Sequence, residues 1–237
     1  MAPVIRRLLL WDVDGTLVRA GDLGAAVFDL ALEDVLGRRP TFRVGMSGKT
    51  DPEIVREYLA EMEVPGTHDR VEAILRAAEE HLAAAAAAGE LAAGGTACPG
   101  AGEVLALLAC DPRVVSTLLT GNIAANALIK VAAFGLDRWL DLDIGAYGSD
   151  EADRKLLGPV ALGRLAARRG VRLTGPDVWV IGDTPRDLEC ARAVGARCLL
   201  VATGRYGLGE LATLGADAVL QDLCDASAVV KLLAGDL

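Results

Sequence analysis

Residues 8–19 read LLLWDVDGTLVR, an apolar run that ends in two acids, Asp12 and Asp14. A continuous apolar run is typical of a strand that is covered on both faces of a parallel sheet. Two carboxylates at the tip of such a strand need a counter-ion, because unpaired charges cannot crowd together there. Oxygen ligands of this kind suit a hard dication such as Mg2+. The stretch therefore predicts a buried parallel strand with a metal at its carboxyl end.

Strands and helices are predicted to alternate along most of the remaining chain. The apolar runs with strand character lie at 7–13, 114–119, 141–146, 177–182, 197–202 and 217–220. The helical patterns from residue 100 onward lie at 101–109, 123–134, 159–169, 186–194 and 226–234. This alternation predicts a doubly wound, Rossmann-like α/β core with a parallel sheet.

The pattern of residues 20–92 is helical only. Helices are predicted at 22–36, 52–62 and 68–88, and the last of these runs into a glycine-rich return. We therefore expect an α/β core built from residues 1–19 and 95–237, with an all-helical cap inserted at 20–94. The alternative is that these helices form one edge of a single domain.

The composition of the chain makes some binding partners and some cellular locations less favourable than others. The chain of 237 residues has a formal net charge of −9, which disfavours binding to nucleic acid or to an anionic membrane. An anionic substrate must then be attracted by local positive charge or by a metal. No apolar run reaches the roughly 18 residues that a membrane span requires, and the apolar stretch at the start is short for a signal peptide. With five cysteines and no CxxC pair, these features predict a cytoplasmic protein with reduced thiols and no zinc site.

Polar residues follow several predicted strands at the point where each strand ends. In an open parallel sheet, ligands bind outside the carboxyl ends of the strands, so these residues are expected to converge on one site. They are Asp12, Asp14, Thr120, Gly121, Asn122, Arg154, Lys155, Asp183 and Asp187. The turn at Gly15 can aim the second acid of the first pair differently from the first. That layout suits nucleophilic catalysis through an aspartyl-phosphate with a separate acid/base.

Three segments also carry a family resemblance. WDVDGTL, LLTGN and VIGDTPRDLECARAVGA resemble the first, second and fourth motifs of the haloacid dehalogenase superfamily of phosphohydrolases, in the right order along the chain. The helical insertion sits where this superfamily carries its smaller helical cap. The resemblance points to phosphoglycolate-phosphatase-like relatives and implies the fold and the site chemistry of that family.

The resemblance implies a role for each matching residue. Asp12 would be the nucleophile, and Asp14 would protonate the leaving alkoxide and later deprotonate water. Thr120 and the basic residue of the third motif would hold the phosphoryl oxygens. That motif matches loosely, with Arg154 and Lys155 both placed before the helix predicted to begin near Pro159. Counting from the proline favours Arg154, and Lys155 stays open.

The resemblance also implies a metal site and excludes one reaction. Mg2+ would be bound by Asp12, the backbone carbonyl of Asp14 and Asp183, with Asp187 supporting the metal-bound waters. Dehalogenases of this superfamily lack the second acid of the first motif. Because Asp14 is present here, dehalogenation is disfavoured.

Three further residues are candidates for contact with substrate. Gly121 and Asn122 follow Thr120 and are expected to line the site, although Asn122 could instead cap the helix at 123–134. Lys49 lies in GMSGKTDPEI at 45–54. It belongs either to a specificity loop that reaches the leaving group or to a solvated helix start.

The sequence therefore predicts a Mg2+-dependent phosphatase that acts on a small phosphorylated metabolite and is a monomer or a homodimer. Three alternatives stay open. A phosphosugar mutase would use the same site and take the phosphoryl group back. A phosphonate hydrolase would use Lys49 to form a Schiff base, and a non-enzymatic protein would retain only binding.

Overall fold

Six parallel strands form the central sheet of the computed structural model, which describes residues 5–235. With the two strands of a separate ribbon, the described strands of the chain are β1 (Arg7–Trp11), β2 (Val18–Arg19), β3 (Thr96–Ala97), β4 (Val114–Thr120), β5 (Ala146–Tyr147), β6 (Val178–Gly182), β7 (Arg197–Val201) and β8 (Ala218–Leu220). The sheet order is β5-β4-β1-β6-β7-β8, and β2 pairs with β3 as a separate antiparallel ribbon. The strand of the opening motif, β1, is thus central. Residues 1–4 and 236–237, which belong to the predicted core, lie outside the described residues.

The described part of the chain contains ten α-helices. They are α1 (Leu23–Leu36), α2 (Asp51–Glu61), α3 (His68–Ala87), α4 (Glu90–Gly94), α5 (Ala101–Leu108), α6 (Ala124–Ala133), α7 (Leu157–Arg169), α8 (Pro185–Ala193), α9 (Leu208–Ala212) and α10 (Ala226–Ala234). A 3-10 turn at Arg154–Leu156 leads directly into α7. None of the described helices is long and apolar enough to cross a membrane.

The apolar residues of β1 are buried because the sheet is covered on both faces. Leu9 and Trp11 pack into the cluster that includes α5, α6 and α10, whereas Leu8 and Leu10 pack into the cluster that includes α7 and α8. Side chains alternate across a strand, so a continuous apolar run supplies both clusters at once. The predicted doubly wound core is confirmed.

Helices α1 to α4 pack around a separate apolar cluster outside the sheet. Phe28, Tyr58, Ile74 and Leu82 are among its buried members. The chain passes into and out of these helices through the β2–β3 ribbon, in which Val18 pairs with Ala97. We propose that residues 20–94 are a cap, as the sequence predicts.

Two local predictions were wrong. The strand expected at 141–146 is a 3-10 turn at Leu142–Ile144 followed by β5. The Asp141 carbonyl accepts the Ile144 N–H within this turn and the Thr117 hydroxyl, so it is not available to a backbone ladder. The helix expected to begin near Pro159 begins at Leu157. Proline is tolerated as its third residue because the first turn of a helix has N–H groups without intrahelical partners.

Candidate active site

The carboxyl ends of β1, β4 and β6 meet in a cavity of about 330 Å3. Asp12 and Asp14 enter it after β1, Thr120 from the end of β4 and Asp183 after β6. Arg154 reaches it from the turn before α7. Gly121 and Asn122 also line the cavity, as does Lys49 from the cap. The structure thus brings most of the residues singled out in the sequence into one place.

The turn after β1 lets Asp183 approach the segment that carries Asp12 and Asp14. Asp12 continues the β1–β6 ladder, since its N–H donates to the Ile181 carbonyl at 2.9 Å. Gly15 then adopts a φ of +82°, and a Cβ there would lie 2.5 Å from Asp183 Oδ2. Only glycine combines this backbone conformation with so close an approach. The Gly of the DxDG segment therefore lets Asp183 sit against the first motif.

Three buried carboxylates form an acidic cluster at the base of the cavity. Asp12, Asp183 and Asp187 each offer an oxygen, and these oxygens lie within 4.8 Å of one another. Burial, partly offset by Arg154, raises the pKa of Asp12 from 3.8 to about 6. Burial and repulsion from Asp187 and Asp12 raise the pKa of Asp183 from 3.8 to about 8. A buried set of oxygens with excess negative charge fits a hard dication.

Arg154 is the basic residue that the structure places in the site. It is 4% exposed, its Nη2 lies 2.9 Å from Asp12 Oδ2, and it also pairs with Asp187. Burial alone would lower the pKa of Arg154, but the two acids raise it well above its ordinary value. Lys155 is about half-exposed and lies 3.4 Å from Glu189, outside the cavity.

Asp187 is engaged by other protein groups. Its Oδ2 accepts the Thr184 N–H at 3.0 Å and the Thr184 hydroxyl at 2.7 Å, and its Oδ1 accepts from Arg154. Asp187 therefore stabilises the start of α8 and orients Arg154. Its predicted support of metal-bound waters stays a prediction.

Asn122 orients the hydroxyl of Thr120. Its backbone N–H and its Nδ2 both donate to Thr120 Oγ1, at 3.3 and 2.9 Å. With these lone pairs occupied, the Thr120 hydroxyl hydrogen is available to donate to a ligand. Asn122 does not cap α6, because the N–H of Ile123 donates to Asp51 of the cap instead.

Lys130 is a site residue that the sequence reasoning missed. It lies on α6 and is 7% exposed, and its Nζ is 2.6 and 2.8 Å from the two oxygens of Asp14 and 2.7 Å from Asn122 Oδ1. A signal was present in the sequence. Lys130 falls three residues after the buried Ala127, on the inward face of an apolar helix, where an unpaired lysine is rare.

The cap is closed over this site. The Asp51 N–H donates to the Gly121 carbonyl, and the Thr50 hydroxyl donates to the Ala152 carbonyl, both at 2.8 Å. A Cβ on Gly121 would lie only 2.0 Å from the Lys49 carbonyl oxygen. These contacts tie the start of α2 to the loops that follow β4 and β5.

Cap residues form the outer wall of the cavity. Phe28, Met46 and Ile54 supply its apolar surface. The Lys49 ammonium pairs with Glu57 on α2, so it is held within the cap rather than fully solvated. The side of the cavity formed by the core is therefore charged, and the side formed by the cap is partly apolar.

Comparison with known proteins places this site in a family. The family model described as haloacid dehalogenase-like hydrolase matches residues 9–192, whereas no curated protein sequence matches the chain. Several solved structures share the fold. A hydrolase from Pseudomonas syringae is 21% identical with a TM-score of 0.69, over 96% of this chain and 99% of that one. A predicted phosphoglycolate phosphatase from Haemophilus somnus is 17% identical with a TM-score of 0.66, over 95% and 97%.

A mutant of CbbY from Rhodobacter sphaeroides in complex with xylulose-(1,5)bisphosphate is also similar. It is 21% identical with a TM-score of 0.72, over 93% of this chain and 96% of that one. The match to the family model covers most of the chain and includes the strands that carry the acidic residues of the cavity. This chain therefore belongs to the haloacid dehalogenase-like hydrolase family.

Proposed function

We propose that this protein is a phosphatase that hydrolyses a small phosphomonoester through an aspartyl-phosphate on Asp12. The observation that carries the proposal is the convergence of two carboxylates, a hydroxyl and a buried guanidinium in one cavity. Asp12, Asp14, Thr120 and Arg154 all line it. Membership of the hydrolase family supports the reaction class.

Each of these residues is assigned one role. A carboxylate oxygen of Asp12 attacks phosphorus, and the ester bond to the leaving group breaks as Asp14 donates its proton to the leaving oxygen. Thr120 donates its hydroxyl hydrogen to a phosphoryl oxygen. Arg154 Nε is buried without a partner among the described residues, which leaves it free to donate to another phosphoryl oxygen. Fixed donors of this kind stabilise the charge of the transferring group.

The acidic cluster is proposed to hold Mg2+. Asp12 and Asp183 would bind it through carboxylate oxygens and Asp14 through its backbone carbonyl. When bound, the metal neutralises charge on the transferring phosphoryl group. The excess negative charge of the cluster, reflected in the raised pKa of Asp183, supports a dication at this position.

The substrate is proposed to be small and anionic. A cavity of about 330 Å3 is at the lower end of the range for ligand sites. Lys49 and Arg205 are among its lining residues, and their positive charge can attract an anion despite the net charge of −9. A large phosphoprotein would not fit beneath the cap. The free state of all five cysteines supports a cytoplasmic location, and a monomer or homodimer stays a prediction.

Phosphate release from a panel of small phosphate esters tests the proposal. The panel should contain phosphoglycolate, sugar monophosphates and sugar bisphosphates, the last because of the bisphosphate bound by the similar CbbY structure. Wild type and Asp12→Asn are compared in Mg2+ and in EDTA. We expect metal-dependent release that Asp12→Asn abolishes.

Two results would contradict the proposal in different ways. Release that survives Asp12→Asn would exclude this residue as the nucleophile. Interconversion of sugar phosphates with little free phosphate would identify a mutase, which uses the same groups. A phosphonoaldehyde trapped on Lys49 by borohydride would instead indicate phosphonate hydrolysis.

A further inference from the structure

We propose that Lys130 is a positioning residue that holds Asp14 and Asn122 in their working orientation. The proposal rests on the proposed phosphatase function and assigns a role to a core lysine outside the matched motifs. Lys130 touches the proposed acid/base and has no assigned contact with the phosphoryl group.

The hydrogen-bond capacity of Lys130 is fully used by these two partners. An ammonium group has three hydrogens to donate. Three acceptors lie within 2.8 Å of Lys130 Nζ, namely both carboxylate oxygens of Asp14 and the amide oxygen of Asn122. No donor remains for a substrate oxygen. This geometry favours positioning over direct binding of the substrate.

Asp14 depends on this arrangement for its own orientation. Its side chain is 45% exposed, in contrast to the buried Asp12. Among the described residues, the partners of its carboxylate are Lys130 and Asn122. Without the lysine, one amide hydrogen bond at 2.8 Å would restrain a half-exposed carboxylate. Asp14 would then sample rotamers that point away from the leaving oxygen.

Lys130 also fixes the direction of the Asn122 amide. Since Asn122 Oδ1 accepts from the lysine, its Nδ2 faces Asp14 Oδ2 and Thr120 Oγ1. An amide flipped by 180° would put its oxygen against the Asp14 carboxylate and remove a donor from Thr120. One buried ammonium thus orders both the proton donor and, through the amide, a phosphoryl-binding hydroxyl.

The proton balance of the first step shows for which substrates the reaction should slow when Lys130 is replaced. As the bond from Asp12 oxygen to phosphorus forms, the phosphorus–oxygen ester bond breaks. The proton of Asp14 moves to the leaving oxygen, giving a free alcohol and an Asp14 carboxylate beside Lys130. An alkoxide is a poor leaving group and needs this proton, whereas p-nitrophenolate leaves without it. A misplaced Asp14 should therefore slow alkyl esters selectively.

The test compares an alkyl phosphate with p-nitrophenyl phosphate, using kcat/KM because it covers the steps up to formation of the aspartyl-phosphate. We expect Lys130→Met to lower kcat/KM for the alkyl ester by about 10- to 100-fold. The aryl ester loses only the indirect support of Thr120, whose two bonds from Asn122 do not involve the lysine, and its kcat/KM should fall by less than about 3-fold. Lys231→Met, on the exposed face of α10, is the matched control and should change neither value.

A double-mutant cycle separates positioning from a purely structural role. If Lys130 acts through Asp14, then Lys130→Met should cost little more in an Asp14→Asn background. Additive losses, or equal losses on both esters, would overturn the proposal. If Lys130→Met does not fold, Lys130→Gln replaces it, and failure of both to fold would assign the lysine to stability instead.

Failure of the wider function has a separate signature. If wild type releases no phosphate from any ester in an Asp12-dependent manner, the proposed phosphatase function is wrong. If wild type is active on both esters and their ratio is unchanged in folded Lys130 variants, only the role of Lys130 is wrong.

Discussion

Replacing Asp183 by Asn is expected to stabilise the metal-free protein and to remove most of its response to Mg2+. Asp183 is 3% exposed, and repulsion from Asp187 and Asp12 adds to the effect of burial. Its pKa in the unfolded chain is near the ordinary 3.8, whereas in the folded protein it is about 8. Between these values the folded state binds more protons than the unfolded state. The stability of the metal-free protein must therefore fall as the pH rises through this interval.

The size of the effect follows from the shift in pKa. Each pKa unit corresponds to about 1.4 kcal/mol, so the full shift corresponds to roughly 6 kcal/mol, most of which develops between pH 4 and pH 8. Part of this cost is shared with Asp12, whose pKa is also raised. Asn has no charge to bury. We expect Asp183→Asn to be about 2–4 kcal/mol more stable than wild type in EDTA near pH 8 and equal to it near pH 4.

Urea unfolding in EDTA and in MgCl2 measures both parts of this prediction. A ligand at 100 times its dissociation constant adds about 2.7 kcal/mol to the stability of the folded state. Wild type should gain at least this much in Mg2+ near pH 8, and less near pH 5, where protons compete for Asp12 and Asp183. Asp183→Asn should gain little at either pH.

Asp217→Asn is a control for which the expected change in stability has the opposite sign. Burial alone would raise the pKa of Asp217, but hydrogen bonds from the Cys198 N–H and Arg192 lower it. The control should therefore be less stable than wild type at neutral pH, with an unchanged response to Mg2+. An Asp183→Asn protein that is destabilised in EDTA near pH 8, or that gains as much from Mg2+ as wild type, would refute the reasoning.

Two further pairs of substitutions test the site from opposite sides. Arg154→Met should lower kcat by about 100- to 1,000-fold, the cost of one donor to the reacting group, whereas Lys155→Met should stay within about 3-fold; steady-state assays on the best ester decide between them. Gly121→Ala should lower kcat/KM at least about 10-fold, because its Cβ displaces the Lys49 carbonyl. Gly163→Ala is its control: the Cβ meets open space on α7, and urea unfolding should show a gain in stability of about 0.5–1 kcal/mol. Equal activities of the first pair, or full activity of Gly121→Ala, would contradict the assignments.

Features that depend on local pattern could be predicted from the sequence. The apolar run of β1 feeds two clusters because alternate residues face opposite sides of the sheet. The convergence of Asp12, Thr120 and Asp183 follows from a general property, since parallel strands present their carboxyl ends at one edge. Neither prediction needs knowledge of any long-range contact beyond the order of the strands.

The sequence pattern favours Arg154 in the third motif but does not exclude Lys155. Both residues lie in a 3-10 turn, in which successive side chains point about 120° apart. One residue of offset therefore decides which cation is buried and which is exposed. The expected start of the helix near Pro159 was two residues late, so the count from the proline favoured Arg154 without a correct helix boundary.

The role of Asp51 depends on contacts between distant parts of the chain. It belongs to cap helix α2, yet its carboxylate accepts the Ile123 N–H at the start of core helix α6. Burial, partly offset by Lys130, raises the pKa of Asp51 to about 6. A sequence pattern shows only a helix start at this position, because the partner lies 72 residues away.

The distribution of charge in the cavity gives a physical reason for the position of the proposed metal. Asp14 is paired with Lys130, and Asp12 is paired with Arg154. Among the described residues Asp183 has no basic partner within an ion pair, and its carboxylate accepts a hydrogen bond from the Thr16 hydroxyl at 3.4 Å. An unpaired carboxylate that is nearly fully buried is costly unless a cation reaches it. The same imbalance that raises the pKa of Asp183 therefore favours a dication beside it, where the carboxylate of Asp12 is also within reach.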